Sequence, residues 1–324
     1  MAKAKFGTIF VTTDDPAFLE EQVKPESETL PLADIDVGSL RAAYAARQRN
    51  FCTAPFDPEG RHLRFFPGGF TVWSGYPGAG KTTLLRQLAC KFLAEGRSVF
   101  VCSLEEDPMD VFMRHACTAM GTENPSENAL QWCADLWSDR FKLWNYRPTS
   151  DDARHQKILA AIRVLARHGG PTPPVEHVII DSMMCLDVPA VDAEAQREFC
   201  KALTRTCQAS GVHVHLVAHP RKPMSRDADT DISDIAGSAD VGRKADNVLF
   251  VKRASNEAQA STGECTDMLI AVKKQRYGTG AVRDIQGMFN RRLRQFVLNR
   301  WQEGPTLYLP AEAYQDREHP EPLL

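Results

Sequence analysis

From Gly69 onward the apolar residues switch between two periods. The runs FTVWSG (70–75), SVFVCSLEE (98–106), VEHVIID (175–181), VHVHLVAH (212–219), NVLFVKR (247–253) and DMLIAVKKQR (267–276) are short, β-rich and bounded by turn residues, which predicts strands. Between them, KTTLLRQLACKFLAEG (81–96) predicts a helix with Leu84, Leu85, Leu88 and Phe92 inward and Gly96 at its end. Further helices are expected over MDVFMRHACTAMG (109–121), from about Asp151 to His168, and over AEAQREFCKALTRTCQAS (193–210). Upstream, LRAAYAARQR (40–49) sets Leu40, Ala43 and Tyr44 on one helical face. The first 35 residues carry Pro16, Pro25 and Pro31 without a sustained period, which predicts an arm rather than a domain. Trp132, Trp137 and Trp144 are expected in the core rather than as a base-stacking platform. Strands alternating with helices predict an α/β fold, with a mostly parallel sheet covered on both faces.

Composition narrows the class. The chain has 324 residues, 43% of them hydrophobic and 25% charged, which excludes wholesale disorder and fibrous repeats. No apolar run reaches the roughly 18 residues of a membrane span, and MAKAKFGTIFVTTDD is too short in apolar residues for a secretory signal. Nine cysteines with no C-x-x-C pair argue against a disulfide framework or a zinc site, so a reducing cytoplasm is the expected home. The net charge of −3 hides a polarised chain. Residues 1–40 hold three Lys against eight Asp/Glu, whereas residues 273–300 hold eight Lys/Arg against Asp284 alone. The basic block fits a local polyanion contact or a solvated charged face.

The strongest chemistry is Gly75-Tyr-Pro-Gly78-Ala-Gly80-Lys81-Thr82, which satisfies G-x-x-x-x-G-K-[ST] between a predicted strand and a predicted helix. The glycines let successive N–H groups turn toward a phosphate at the positive end of a helix. Lys81 would reach the β and γ phosphates and Thr82 would ligate Mg²⁺, with Thr83 next in the cradle, so ATP or another NTP or dNTP is the expected ligand. Asp181 ends a hydrophobic strand downstream, the position of a metal-holding acid. Glu105 and Glu106 end the strand after the phosphate-loop helix, where a carboxylate could activate water or simply lie on the surface. His213 and His215 alternate along one strand and are expected as packed or surface residues, while His219 at that strand's end could sense a γ-phosphate.

In order, GYPGAGKTT, SLEE, VIIDSM, VAHPRK, DIAGSADVGRKADNVLF and KKQRYGTG resemble the RecA-like helicase domain of the DnaB-like ring helicases. Within that group the likeness is greatest to mitochondrial Twinkle and the helicase halves of phage primase-helicases, over roughly residues 40–300. The resemblance implies a replicative-type DNA helicase with a RecA-like P-loop NTPase core and a C-terminal β-hairpin over VRDIQGMFNRRLRQFVL (282–298). It makes Lys81 and Thr82 the Walker-A pair, Asp181 the Walker-B acid and Glu105 the catalytic glutamate, with Glu106 as the fallback. It also makes His219 the γ-phosphate sensor, and Lys274 and Arg276 a pair entering the neighbouring subunit's site, Arg276 as arginine finger. Single-stranded DNA would meet loops holding Arg221, Lys222, Arg226, Arg243 and Lys244. Asp227, Asp229, Asp231, Asp234 and Asp240 lie in the same loops, so their net charge is small.

The implied assembly is a homo-oligomeric ring, a hexamer by the resemblance, with a separate primase, polymerase or loader as partner and no membrane. The expected division is an acidic arm at 1–35, a linker helix and loop at 36–60, the ATPase domain at 61–302 and an acidic tail at 303–324. No primase or zinc-ribbon segment stands before the helicase-like part, so the linker helix is expected to pack on a neighbour by itself. The alternative is a RecA-like DNA-binding ATPase without unwinding activity, such as a recombinase or helicase loader; a regulatory KaiC-like ATPase is more distant.

Overall fold

The computed structural model describes residues 10–11, 36–145, 154–170, 172–189, 191–221, 230–236, 239–253, 265–277, 284–298 and 304–314. A two-residue strand β1 (Phe10–Val11) precedes helix α1 (Val37–Arg49) and a small antiparallel pair, β2 (Cys52–Thr53) with β3 (Arg64–Phe65). Strand β4 (Phe70–Gly75) is buried at every position, so it must lie inside a sheet covered on both faces. The phosphate loop follows, and α2 (Lys81–Ala94) starts directly from Gly80. Next come β5 (Val99–Ser103), α3 (Pro108–Met120), α4 (Glu127–Trp137) and β6 (Phe141–Trp144). Asp107 caps α3 by accepting from the Met109 amide, with Pro108 at the first helical position, and left-handed Gly121 ends it.

Helix α5 (His155–Leu165), β7 (His177–Asp181), α6 (Ala193–Ser210) and β8 (His213–Val217) repeat the alternation. A short α7 (Ala239–Lys244) leads into β9 (Asn247–Arg253), and β10 (Cys265–Gln275), β11 (Ile285–Asn290) and β12 (Gln295–Val297) close the chain's sheet. Among the described residues ten strands form one sheet, in the order β1-β6-β5-β7-β8-β4-β9-β10-β11-β12. From β1 to β9 the pairing is parallel, and from β9 onward antiparallel, so the expected α/β core and C-terminal hairpin are both present.

Side-chain alternation sorts the core into two layers. Phe70, Val72, Phe100, Cys102, Val178, Ile180, Val214 and Leu216 face α5, α6 and α7, while Trp73, Val99, Val101, Ile179 and Val217 face α2, α3 and α4. Three of the predicted domain limits change. Phe10–Val11, read as part of a free arm, adds a parallel edge strand beside β6. Cys52, Ala54 and Phe56, assigned to the linker, belong to the core beneath α2, because β2 pairs with β3 and carries Phe65 inward. In the stretch read as an acidic tail, Tyr308, Leu309 and Ala313 are buried. The Tyr308 hydroxyl accepts from Gln87 on α2 at 2.9 Å, and the Tyr314 hydroxyl donates to the Ala119 carbonyl at 2.8 Å. Apolar and aromatic residues spaced among acids carry no clear period, which is why sequence pattern reads such a segment as solvated. Trp137 and Trp144 are core residues as expected, but Trp132 is 38% exposed on α4. No helix among the described residues is long and apolar enough to cross a membrane.

The α2 face of the sheet carries a buried polar stripe. His213 bonds the Phe66 carbonyl at 2.7 Å and the Thr71 hydroxyl at 2.8 Å, while the Trp73 indole donates to His215. His177 stacks on Phe92 with ring centroids 3.7 Å apart. Burial holds all three imidazoles below the ordinary histidine range, His213 down to about 4, and His115 on α3 falls to about 3. Each is therefore neutral when folded and takes up a proton only on unfolding, so stability rises with pH between about 4 and the unfolded value near 6.5. The unfolding free energy is expected to fall below about pH 6.5, by up to about 1.4 kcal/mol per pH unit for each histidine, and the urea midpoint to drop with it between pH 7 and pH 5. A midpoint independent of pH over that range would show that these rings are charged in the folded state.

Candidate functional site

All parallel strands point the same way, so their carboxyl ends share one edge, where ligands of open α/β sheets bind. On that edge stand the phosphate loop after β4, Glu105 after β5, Asp181 at the end of β7 and His219 after β8. The loop's glycines are needed for space as well as torsion. Gly75 has φ +143, and a Cβ there would lie 2.3 Å from the Val251 carbonyl oxygen of β9. Gly80 has φ +100, and a Cβ there would press to 2.7 Å on the Met268 methyl of β10. Gly78, with φ +76, completes the turn.

The Lys81 ammonium is buried under the loop, donating to the carbonyls of Gly75 at 2.7 Å and Tyr76 at 2.9 Å. Burial lowers its pKa, and the charges of Asp181 and Glu105 oppose that shift. Thr82 donates from its hydroxyl to Asp181 at 2.7 Å, so the two expected metal-side oxygens already meet. Burial raises the Asp181 pKa, with the Thr82 hydrogen bond and Lys81 working against it. Thr83 lies one residue on, in the first turn of α2. A tight glycine cradle, a buried ammonium and a hydroxyl–carboxylate pair fit a magnesium-bound nucleoside triphosphate.

The two glutamates separate in space. Glu105 is exposed toward the site and accepts from the Ser182 hydroxyl at 2.9 Å. Glu106 lines a pocket with Thr82 and Asp181 but is engaged by cations: Arg86 of α2 donates to both its oxygens at 2.8 and 2.7 Å, and Arg114 of α3 stands 3.5 Å from it. Both oxygens of Glu106 are thus occupied by guanidinium donors, whereas Glu105 is left with the Ser182 hydroxyl and the Cys185 thiol as partners. His219 is half-buried, and its pKa is lowered by burial and by the Lys81 charge, with Glu105 opposing. It therefore shares an electrostatic environment with the phosphate-loop lysine.

Lys274 and Arg276 sit elsewhere. Strand β10 runs opposite to β9 and pairs Gln275 with Asn247, whereas Gly75 pairs with Val251 four residues further along β9. That offset is about 13 Å at roughly 3.3 Å per residue, and it puts both cations at the opposite edge from their own phosphate loop. Lys274 donates to the carbonyls of Gly242 and Arg243, and Arg276 pairs with Asp246 at 3.0 Å. Of the residues expected to meet DNA, Arg243 is exposed and Lys244 half-exposed at the end of α7. Arg221 is tied back, its side chain donating to the Ile235 carbonyl at 3.1 Å. Lys222 and Arg226 lie outside the described residues.

Several neighbours of the site escaped the sequence reading. Ser182 follows Asp181 directly, and Arg86 is four residues after Thr82 on one helix face, so spacing alone could have raised both. Lys252 and Arg253 line a depression with Tyr76, Pro77, Gly78 and Ala79. They reach the loop only because β9 pairs with β4, which no local pattern announces.

Residues 59–225 match a family model described as an AAA domain, just over half of the chain. The fold is similar to that of a solved ATPase domain, at 18% identity and a TM-score of 0.65, covering 80% of this chain and 97% of that one. It is also similar to a solved DnaB-like replicative helicase, described together with its interactions with primase. There the identity is 17% and the TM-score 0.64, over 82% of this chain and 68% of the other. No curated protein matches the sequence.

The geometry separates binding from turnover. Lys81→Ala is expected to abolish NTP hydrolysis and weaken binding, because the ammonium buried under the loop is the group placed to reach the β and γ phosphates. Glu105→Gln should keep nucleotide affinity within about threefold while turnover falls on the order of 10²-fold or more. Equilibrium binding of a fluorescent nucleotide, measured beside steady-state hydrolysis, separates the two. Near-normal turnover in Glu105→Gln, with loss in Glu106→Gln, would move the base by one residue.

Proposed function

The chain belongs to the AAA domain family, and from that premise we propose that it is the motor of a replicative-type DNA helicase. In this reading NTP hydrolysis at the subunit interfaces of a ring, a hexamer in the relatives the sequence resembles, drives translocation on single-stranded DNA and duplex unwinding. Thr82 and Asp181 would hold Mg²⁺, which would neutralise phosphate charge, and Lys81 would grip the β and γ phosphates. Glu105 activates water and His219 senses the γ-phosphate. The exposed Arg243 and half-exposed Lys244, with Arg221 and Lys222, contact the DNA backbone. A separate primase, polymerase or loader is the accompanying partner.

The observation that carries the reading is the position of Arg276. At the far edge of the sheet it cannot serve its own phosphate loop, yet head-to-tail packing would bring that edge to a neighbour's nucleotide. A second observation supports assembly. Helix α1 leaves Val37 74%, Leu40 55% and Tyr44 65% exposed along one face. Met109 and Met113 of α3, and Trp132 and Leu136 of α4, are also exposed apolar residues. Linker-helix docking onto a neighbouring subunit would cover both sets.

A forked duplex with defined single-stranded tails is expected to be unwound only with hydrolysable NTP, by particles that appear as closed rings in negative stain. Helical filaments, or hydrolysis without unwinding, would favour the recombinase or loader reading. Arg276→Ala and Lys81→Ala should each be nearly inactive, since a finger contributes on the order of 10³–10⁵ in turnover. Mixed under subunit exchange, they should regain part of the hydrolysis, with roughly a quarter of interfaces complete. Confirmed exchange without recovery would rule out a finger acting in trans. The double change Leu40→Asp with Tyr44→Asp should leave monomer stability within about 0.5 kcal/mol, because both side chains are exposed, but shift sedimentation toward smaller species. Unchanged assembly would remove α1 from the interface.

A further inference from the structure

The turn between β5 and α3 is pinned along its length, including at Glu105, whose carboxylate accepts from the Ser182 hydroxyl at 2.9 Å and from the Cys185 thiol at 3.4 Å. Ser103 pairs with Asp181 across the β5–β7 ladder, and the Leu104 amide donates to the Asp181 carbonyl at 2.8 Å. The Glu106 amide donates to the Ser103 hydroxyl at 3.2 Å, and Asp107 caps α3. Glu106 is then fastened through its side chain to Arg86, whose own side chain is only 11% exposed. Arg86 and Thr82 are four residues apart on one face of α2. That single face therefore ties the helix to β7 through Asp181 and to the β5 turn through Glu106.

We propose that Arg86 and Glu106 are a positioning pair that sets the direction of Glu105. This rests on the reading of Glu105 as the group that activates water, and it divides the two adjacent glutamates between base and anchor. With Leu104 buried and Glu106 held by α2, the residue between them directs its carboxylate to the Ser182 hydroxyl. The same helix carries Lys81 and Thr82, so the pair also fixes the carboxylate's distance from the phosphate and metal ligands. A misplacement of about 1 Å in such a constellation can cost on the order of 10²-fold in rate.

The test is a double-mutant cycle on the full chain, read by kcat and KM for ATP and by melting temperature. Arg86→Met and Glu106→Gln are each expected to lower kcat tenfold or more, with KM changed less than about threefold. The exchanged pair, Arg86→Glu with Glu106→Arg, should recover a substantial part of the loss. In a Glu105→Gln background, Arg86→Met should lower the residual turnover no further, because a residue acting only through Glu105 has nothing left to position. A purely structural pair would depress turnover equally in both backgrounds, in step with melting temperature, and would overturn the proposal. Unchanged kcat in both single variants would also overturn it, as would loss in Glu106→Gln with none in Arg86→Met, which would make Glu106 the base. A wild-type chain that binds ATP without turning it over would instead refute the hydrolytic reading on which the pair depends.

Discussion

The close approach of β4 to β9 is the constraint on which the site depends. Strand β4 is buried on both faces between β8 and β9, and its last residue must leave the sheet while still paired with Val251. Only a residue without a side chain fits there, since a Cβ on Gly75 would overlap the Val251 carbonyl. From that exit the loop folds back over the Lys81 ammonium and delivers Gly80 to the start of α2. Every other functional group takes its place relative to this corner: Asp181 through Thr82, Glu105 through the β5–β7 ladder, and His219 through β8.

Parallel order converts one corner into a complete site. Because β5, β7, β8 and β4 run side by side in one direction, four residues distant in sequence end on one edge without any direct link between them. The antiparallel addition of β10 has the opposite effect, carrying Lys274 and Arg276 to the other edge. A single subunit thus holds a donor of the phosphate cradle on one side and a candidate donor to a neighbour's cradle on the other. That separation, rather than any one residue, is the structural argument for a shared site.

The face of the sheet under α2 buries His177, His213 and His215 against aromatic rings, among them Phe92 and Phe65. Thr71 and the Phe66 carbonyl partner His213, the Trp73 indole donates to His215, and His215 pairs with His177, so desolvation is partly offset by hydrogen bonds. The arrangement ties the stability of the strands that carry Asp181 and His219 to the neutrality of their own histidines.

The sequence alone determined the α/β class, the strand–loop–helix of the phosphate site and the ends of most central elements, because those depend on local spacing: period-2 and period-3.6 runs, glycine torsions and capping residues. It also supplied Lys81, Thr82 and Asp181, whose residue types and order are dictated by the ligand's chemistry. Tertiary structure decided what depended on distant neighbours. Spacing alone did not separate Glu105 from Glu106, which only the family resemblance ranked; the structure adds that Arg86 and Arg114 hold Glu106. The limits of the domain moved outward to include Phe56 and Tyr308, whose burial comes from packing on β12 and α2 rather than from any pattern of their own. Arg276 acquired its place from a strand direction, and Lys252 and Arg253 theirs from a strand pairing. Such facts lie in long-range contacts, and a one-dimensional pattern of apolar and polar residues records only how each segment would fold beside its immediate neighbours.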